Sequence, residues 1–317
     1  MIVLRKYSLS ILIVSSFFLL LQGCLDAGSV KTQDKTLPHP ITYRDACNVE
    51  VTFEKSPGRI LAWNVWTRDL LQHIGVSEDK IVMDQGVGSS TAEGWQKAVA
   101  SQNPDLLLYM SETPIDRSEC ESFQALRSSP IKVIVSDQTK LEKVAEDMRA
   151  FGLLLGVEEG GNRAAGELTN TMQNVKDAVR RLPSMRVAWI NGYSEWDNPL
   201  KRGVLLTGRQ TLTHDILTMA NGENIVKDDF LGTKANITYT LKEFISLEPD
   251  VLLVRVDPGR TAISGPIDQY PEWGQIIAVQ KGNVVEFPRE FPRVKQLRQE
   301  LIAVTEALYP ELKNKIQ

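Results

Sequence analysis

The pattern of apolar and polar positions is nearly the same in two segments of the chain, Gly94–Tyr109 and Tyr239–Val254. Each segment has apolar side chains at helical spacing, then a Pro-Asp dipeptide, then an unbroken apolar run. Proline lacks the amide proton that a helix needs, and it pushes the preceding residue out of the helical region, so each helix is predicted to stop there. The apolar run is typical of a strand buried on both faces. Two such units predict two similar α/β lobes, with a cleft between them.

The rest of the chain also alternates between strands and helices, which favours parallel sheets. The sequence therefore predicts an α/β fold of two lobes with mostly parallel sheets. The other predicted elements are a strand pair at 41–53, strands at 59–63, 81–83, 132–136, 186–190 and 283–287, and helices at 67–73, 119–126 and 294–308.

A long helix is predicted between the two halves of the chain. A first helix covers 141–155 and ends at Gly156, and a second runs from Asn162, a good N-cap residue, to Arg181 before Pro183. The second helix has one narrow apolar stripe. It is interpreted either as a rigid strut along both lobes or as a surface helix of one domain. The stripe consists of Leu168, Met172, Val175, Val179 and Leu182.

The first residues have the pattern of an export signal. Arg5 and Lys6 precede an apolar run from Leu9 to Leu21 that is too short to be a convincing membrane span. Gly23-Cys24 after it resembles the lipobox of bacterial lipoproteins, which predicts a signal peptide over 1–23 and a lipidated Cys24. The alternative is an ordinary signal peptide with an incidental cysteine. Residues 24–40 are polar and predict a flexible tether to the extracytoplasmic face of the cell membrane or the cell surface.

Net charge bears on the class of partner, and cysteine content on whether the chain carries a disulfide. The formal net charge is −4, and the chain has no basic patch interleaved with aromatic residues, so no nucleic acid partner is predicted. Beyond Cys24, only Cys47 and Cys120 remain. An exported protein meets an oxidising environment, so these two cysteines are either bridged or free, and the sequence does not decide between the two.

Several segments, in the right order, resemble the periplasmic binding proteins that serve iron–siderophore, haem and cobalamin importers. The resemblance implies an N-terminal lobe (41–156), a connecting helix (157–183), a C-terminal lobe (184–317) and a ligand in the cleft. It also implies delivery of the ligand to an ABC permease dimer with a cytoplasmic ATPase. The cargo it implies is a bulky metal chelate, first a ferric siderophore and alternatively cobalamin or haem. The segments are Ile41–Phe53 with Ser56–Ile60, Asn103–Leu108, Leu153–Gly156, Glu248–Leu253, Trp273–Val284 and Ala307–Pro310.

Ligands of parallel sheets lie beyond the carboxyl ends of the strands, so residues just after strands are the candidates for the cleft. Aromatic rings give large contact area at low entropic cost, and arginines pair with anionic oxygens of a chelate. Each aromatic residue is alternatively a packing residue. The predicted ligand-binding residues are Trp63, Asn64, Trp66, Trp95, Tyr109, Tyr193, Trp196, Arg209, Arg255 and Arg289, and Ser111, Glu112, Asn191 and Glu195 are further strand-end positions.

No resident metal or cofactor is predicted. Direct zinc or manganese capture needs several converging histidines and carboxylates, and the three histidines are His39, His73 and His214. For haem, Tyr109, Tyr193 or His214 would be the candidate axial ligand. An extracytoplasmic enzyme is the less favoured class, because the chain has no Gly-x-Ser-x-Gly, HExxH, CxxC or P-loop lysine. Gly86-Val87-Gly88 is interpreted as a cleft loop and not as a phosphate cradle.

The residues expected to dock on the permease depart from the pattern of the family that the chain resembles. Members of that family commonly carry a glutamate seven positions before each Pro-Asp proline, and these carboxylates dock on permease arginines. Here those positions are Lys97 and Lys242. Either docking uses reversed charge, or it uses the neighbours Glu93 and Glu243, or the two lysines are only solvated. A monomer is expected.

Overall fold

The computed structural model describes residues 40–83, 92–128, 130–194, 203–226, 235–256, 271–290 and 292–316. The signal peptide and almost all of the tether that the sequence predicts lie outside these residues. The strands are β1 (Ile41–Arg44), β2 (Glu50–Phe53), β3 (Ile60–Ala62), β4 (Ile81–Val82), β5 (Leu106–Ser111), β6 (Lys132–Asp137), β7 (Met185–Ser194), β8 (Gly203–Thr207), β9 (Gly222–Asn224), β10 (Asn236–Thr240), β11 (Val251–Val256) and β12 (Val284–Pro288). The helices are α1 (Val65–His73), α2 (Ala92–Gln102), α3 (Arg117–Arg127), α4 (Leu141–Leu154), α5 (Glu158–Val179), α6 (Leu212–Met219), α7 (Leu241–Ser246), α8 (Ile277–Gln280) and α9 (Leu297–Leu308).

The first sheet is parallel throughout, in the order β4-β3-β5-β6. Its central strand β5 begins with three leucines that are fully buried, as the unbroken apolar run predicted. Helices α2 and α3 cover one face and α1 and α4 the other. This is the predicted α/β lobe, and its strands all end at one edge.

The second sheet is mixed, in the order β10-β8-β7-β11-β12, with β9 beside the first half of β7. Strands β7, β11 and β12 are parallel, whereas β8 is antiparallel to both β7 and β10. Residues 195–202 alone separate β7 from β8, too short a connection for the crossover that a parallel neighbour needs. The prediction of mostly parallel sheets therefore holds for the first sheet and for only part of the second.

The two Pro-Asp units lie in different sheets, and each is held in the same way. The residues before the prolines, Asn103 and Glu248, have φ values of 44° and 47°, outside the helical region as predicted. Arg59 Nε donates to the carbonyl of Gln102 at the end of α2 (2.6 Å), and Arg186 Nη2 donates to that of Leu247 after α7 (2.6 Å).

The aspartates of the two units also play matching parts. Asp105 accepts the amide of Arg59 (2.9 Å), and Asp250 accepts the amide of Arg186 (3.0 Å). Each carboxylate therefore ties the amino end of its own strand to the amino end of the neighbouring strand. The repeated sequence pattern corresponds to a repeated structural unit.

The long helix α5 starts earlier than the sequence predicted. It begins at Glu158, so Asn162 is an interior residue and its prediction as N-cap is wrong. The reason is a close crossing with α4, where Gly161 and Gly152 approach so nearly that a Cβ on Gly161 would lie 2.4 Å from the carbonyl of Met148. The buried stripe is also wider than predicted, because it continues through Ala164, Ala165 and Thr171.

Helices α4, α5 and α9 join the two sheets through one apolar cluster that includes Ile60 and Leu106 of the first sheet and Trp189 and Leu253 of the second. Two smaller clusters lie on the outer faces of the sheets. This confirms a two-lobe α/β fold. The chain positions at which each lobe begins and ends stay a prediction.

A hairpin of β1 and β2 packs beside the first sheet, as the sequence predicted. Its turn is bridged to α3 by a disulfide between Cys47 and Cys120, with 5.5 Å between the Cα atoms. The buried carboxylate of Asp45 pairs with Arg127 of the same helix. No helix in the described part of the chain is both long and apolar enough to cross a bilayer.

Candidate functional site

The carboxyl ends of both sheets meet at the first turn of α6. The amide of Leu212 donates to the carbonyl of Glu112, which follows β5 in the first lobe (2.9 Å). The hydroxyl of the next residue, Thr213, accepts a hydrogen bond from Arg255 Nη2 at the end of β11 (3.2 Å). One helical turn thus holds a strand end from each lobe. In α/β folds, ligands are expected at the carboxyl ends of the strands.

A second contact fixes the two lobes to each other at α4. The N-cap residue of α4, Lys140, makes no capping bond with its own side chain. Asp215 of α6 supplies the cap instead, accepting the Leu141 amide (2.8 Å) and the Lys140 ammonium (2.9 Å). A carboxylate at a helix N-terminus satisfies an unpaired amide and matches the helix dipole. We call the contacts of Glu112, Leu212, Lys140, Leu141 and Asp215 the lobe seam.

Arg255 is a partly buried cation beside the lobe seam. Its guanidinium lies over the ring of Trp189, 5.9 Å from the ring centroid. Among the described residues its Nε has no hydrogen-bond partner, although the atom is buried. Burial lowers the pKa of Arg255, and the like charge of Arg289 acts in the same direction, while Glu112 and Glu300 act in the opposite one. A buried guanidinium with an unused donor can bind an anionic ligand group.

Two carboxyl groups near Arg255 have strongly raised pKa values. Burial raises the pKa of Glu112 to about 7, and the charge of Arg255 opposes this rise. Burial also raises the pKa of Glu300, in α9, to about 8; the Arg293 amide opposes the rise and the charge of Glu112 adds to it. The Glu300 carboxylate accepts that amide with both oxygens (2.9 and 2.7 Å). At neutral pH both groups therefore carry a proton for a large part of the time.

An open pocket of about 650 Å³ lies beside Glu300. Its walls come from the end of β12, from the turn before α9 and from one face of α9, including Phe287, Pro288, Arg293 and Gln299. The pocket is large enough for a drug-sized molecule. It borders the same carboxyl edge of the second sheet at which Arg255 lies.

Four of the predicted aromatic residues belong to the first lobe. Trp63, Trp95 and Tyr109 pack with Phe123 on the outer face of the first sheet, with Trp95 and Phe123 ring centroids 3.5 Å apart. Trp95 is 2% exposed, so packing is the role that the fold gives it. Trp63 and Tyr109 keep exposed surface at the carboxyl end of the sheet.

Trp66 and Asn64 are held by internal hydrogen bonds. The indole nitrogen of Trp66 donates to Gln138 (2.6 Å) within the apolar cluster between the lobes. Asn64 caps α1, accepting from the Thr67 amide (2.8 Å) and donating to the Met110 carbonyl (2.8 Å). Both side chains satisfy structural needs at the strand ends, and for Trp66 this is the packing alternative that the sequence left open.

The predicted residues of the second lobe are divided. Arg209 donates to the carbonyls of Val226 (2.5 Å) and Asn224 (3.3 Å), which fixes the chain after β9. Tyr193 is partly buried, with its ring edge-on to Trp273. Arg289 is exposed directly after β12, where its amide donates to the Val256 carbonyl (2.9 Å). Trp196 lies outside the described residues, as do Glu195 and Gly86-Val87-Gly88, the segment predicted to be a cleft loop.

Sequence reasoning did not identify Thr213, Asp215 or Glu300. Glu300 carries a usable signal, because it lies in the apolar stripe of α9 between Leu297 and Val304, and a carboxyl group within such a stripe is seldom placed there without a partner. Asp215 and Thr213 carry no such signal. Their role depends on contacts with α4 and β11, far away in the chain.

The proposed docking residues lie at matching places in the two units. Lys97 in α2 and Lys242 in α7 are both exposed. The Glu243 carboxylate closes a capping box with Thr240, accepting its hydroxyl (2.7 Å) and its amide (2.8 Å), and these two bonds lower the pKa of Glu243. Glu93 belongs to α2, and its side chain lies outside the described residues. Within the described ranges, no group of three or more histidine, cysteine or acidic side chains is placed to hold a metal ion.

A family model described as "Periplasmic binding protein" matches residues 93–290, which is more than half of the chain. The chain belongs to the periplasmic binding protein family. Members of this family are substrate-binding components of transport systems and not enzymes. The match includes both Pro-Asp units, α5, and the residues of the lobe seam.

A curated relative and solved structures agree with this. The chain is 21% identical, over 92% of its own length and 94% of the relative's, to an uncharacterized ABC transporter substrate-binding lipoprotein, YvrC, of Bacillus subtilis. A protein of an Fe³⁺-hydroxamate transport system from Saccharomonospora viridis superposes with a TM-score of 0.61 at 19% identity, covering 85% of this chain and 99% of that one. The vitamin B12 binding protein BtuF of Vibrio cholerae gives 0.65 at 14% identity, covering 81% and 99%. These likenesses show the two-lobe fold.

Proposed function

We propose that the protein is the lipid-anchored, extracytoplasmic substrate-binding component of an ABC importer, and that it captures a bulky anionic metal chelate, foremost a ferric siderophore. The observation that carries the proposal is the meeting of both sheets' carboxyl ends at one turn of α6, beside the incompletely paired guanidinium of Arg255. A cation there favours a ligand with negatively charged oxygen atoms.

The contacts we propose for this ligand are Arg255 and Arg289 as cations and Trp63, Tyr109 and Tyr193 as aromatic surface. All five have exposed or partly exposed surface in the described part of the chain. Aromatic burial would supply most of the binding free energy, and the arginines would orient the ligand. Trp95, with almost no exposed surface, is left out of this set.

The relatives support the proposal without fixing the cargo. The curated relative is an ABC transporter substrate-binding lipoprotein. The two solved structures named above are those of a protein from an Fe³⁺-hydroxamate transport system and of a vitamin B12 binding protein. Lipidation of Cys24 remains part of the proposal. Haem is an alternative cargo, for which burial raises the pKa of Tyr109 and of Tyr193 and so opposes the phenolate form in which these two candidates would ligate iron.

The test is a titration of the purified mature protein with four coloured compounds: a ferric tris-catecholate, a ferric trihydroxamate, cyanocobalamin and haemin. We expect the protein to retain the ferric tris-catecholate at one equivalent after desalting, with saturable quenching of tryptophan fluorescence. Retention of none of the four compounds would overturn the proposal of a metal-chelate cargo. Retention of cyanocobalamin or haemin alone would move the assignment to that ligand.

For the partner, we propose that the exposed surfaces around Lys97 and Lys242 form the face that docks on the permease. Exposed charges steer association and select partners more than they add affinity. Reversing both charges (Lys97→Glu with Lys242→Glu) should lower uptake in cells and leave chelate affinity unchanged. The matched control reverses two other exposed lysines, Lys281 and Lys313. Equal uptake in both double variants would exclude this docking face.

A further inference from the structure

Arg255 is placed to share its charge among two carboxyl groups instead of pairing with one. Its Nη2 donates to a neutral hydroxyl, that of Thr213, and its Nε has no hydrogen-bond partner among the described residues. Both Glu112 and Glu300 nonetheless influence it electrostatically. The positive charge therefore stabilises two nearby carboxylates without being consumed by either of them.

Glu112 belongs to the other lobe, and its charge and that of Arg255 influence each other. Its carbonyl oxygen accepts the Leu212 amide, and the next residue, Thr213, holds Arg255. The same turn of α6 therefore holds the backbone of Glu112 and the side chain of Arg255. Among the described residues, Arg255 is the charged group that stabilises the Glu112 carboxylate, against the desolvation that favours the neutral acid.

Glu300 completes the cluster from α9. Its two oxygens are held by the Arg293 amide, and the residue is 6% exposed, at the edge of the 650 Å³ pocket. The charged groups that act on it are Glu112, Arg293 and Arg255. Glu112 and Glu300 repel each other when both are ionised, so the cluster carries both negative charges only while Arg255 compensates them.

We propose that Glu112, with Glu300 in support, couples the capture of an anionic ligand at Arg255 to the uptake of a proton. The inference rests on the proposed function and adds to it: the ligand class is anionic, and its binding is linked to pH. An anionic oxygen at Arg255 would neutralise the charge that stabilises the Glu112 carboxylate and would add a repelling charge. The carboxyl group would then take a proton from solvent.

The direction of the pH dependence follows from this linkage. The pKa of Glu112, about 7 in the empty protein, would be higher in the complex. The complex then binds more protons than the empty protein, so affinity for an anionic chelate rises as pH falls from about 8.5 towards 7, by at most about tenfold per pH unit and per proton. Below this range both forms are protonated and the dependence ends. A neutral chelate should show none of it.

The first experiment counts protons by calorimetry. The ferric tris-catecholate, which is anionic, and a neutral ferric trihydroxamate are titrated at pH 8 in two buffers of different ionisation enthalpy. We expect the wild-type protein to take up about two thirds of a proton per catecholate bound, and none with the trihydroxamate. Glu112→Gln should reduce the uptake by at least half. The matched control, Glu121→Gln, changes an exposed glutamate of α3 and should leave the uptake unchanged.

The second experiment needs no ligand. Carboxyl carbons of glutamate are followed by NMR as the empty protein is titrated from pH 4 to 9. Glu112→Gln should remove a resonance that titrates near neutrality. If the resonance lost on this substitution titrates in the ordinary carboxylate range, the inference is overturned even though the protein binds its chelate.

The outcomes separate the two proposals. Binding of the catecholate with equal proton uptake in the wild type and in Glu112→Gln overturns the inference and leaves the proposed function standing. Tight binding of the neutral trihydroxamate alone also overturns the inference, because the ligand is then not anionic. Binding of none of the chelates overturns the proposed function, and the inference with it.

Discussion

The side chain of Asp215 should hold the two lobes together to a degree that a single substitution can measure. It is 10% exposed and accepts both the Leu141 amide (2.8 Å) and the Lys140 ammonium (2.9 Å) across the lobe seam. Asp215→Ala removes a helix cap, worth about 1–2 kcal/mol. It also removes an ion pair that is worth less than about 1 kcal/mol, because the Lys140 side chain is 56% exposed. We expect the free energy of unfolding to fall by about 1–3 kcal/mol.

The assay is denaturant unfolding followed by far-UV circular dichroism. Asp215→Asn keeps an acceptor for the Leu141 amide and loses the ion pair, so it should cost about 1 kcal/mol or less. The control, Asp177→Ala in α5, removes an aspartate that is 59% exposed and should change stability by less than about 0.5 kcal/mol. If Asp215→Ala behaves like this control, the carboxylate does not fasten the lobes and the account of the seam fails.

Two further predictions concern the helices and the disulfide that support the site. Gly161→Ala places a Cβ 2.4 Å from the carbonyl of Met148 and should destabilise the protein by about 1–3 kcal/mol. In the same helix, the Cβ of Gly166→Ala meets nothing within 4 Å, so this variant should stabilise the protein by about 1 kcal/mol. Thermal unfolding of the two variants side by side tests this, and a change of the same sign in both would refute the crossing of α4 and α5. Reducing the Cys47–Cys120 disulfide, which spans 73 residues, should lower the free energy of unfolding by about 2–4 kcal/mol. The double serine variant should not respond to reductant. An unchanged stability of the wild type on reduction would show that the disulfide does not stabilise the fold.

Local rules were enough to predict the repeated units of the fold. The ends of the helices before Pro104 and Pro249 follow from the chemistry of proline alone. The buried first halves of strands β5 and β11 follow from unbroken apolar runs. These features depend on neighbours in the chain, so the sequence carries them.

Features that depend on distant contacts were predicted less well. The start of α5 at Glu158 is permitted by Gly160 and Gly161, whose missing side chains let the helix pass close to the carbonyls of Ile74 and Met148. N-cap propensity favoured Asn162 instead, because propensity depends on residue type and not on the contacts between two helices. The antiparallel β8 was missed for a similar reason: strand direction depends on the connection and not on the apolar run.

The candidate site shows the same division. A position after a strand end was enough to identify Arg255 and Glu112 as strand-end residues. It did not tell which face each side chain would take, so Trp66 and Trp95 were predicted for the cleft although both are packed inside the protein. Asp215 acts on a helix more than 70 residues away in the chain, and no local pattern records such a contact.

The most direct test of the account is hydrogen–deuterium exchange of the mature protein with and without the ferric tris-catecholate. We expect slower exchange on binding at residues 111–116 of the first lobe and at residues 211–215 of the second, the two segments joined by the Glu112–Leu212 hydrogen bond. Protection confined to one lobe, or found only on the outer faces of the sheets, would show that the chelate does not bind at the seam between the lobes.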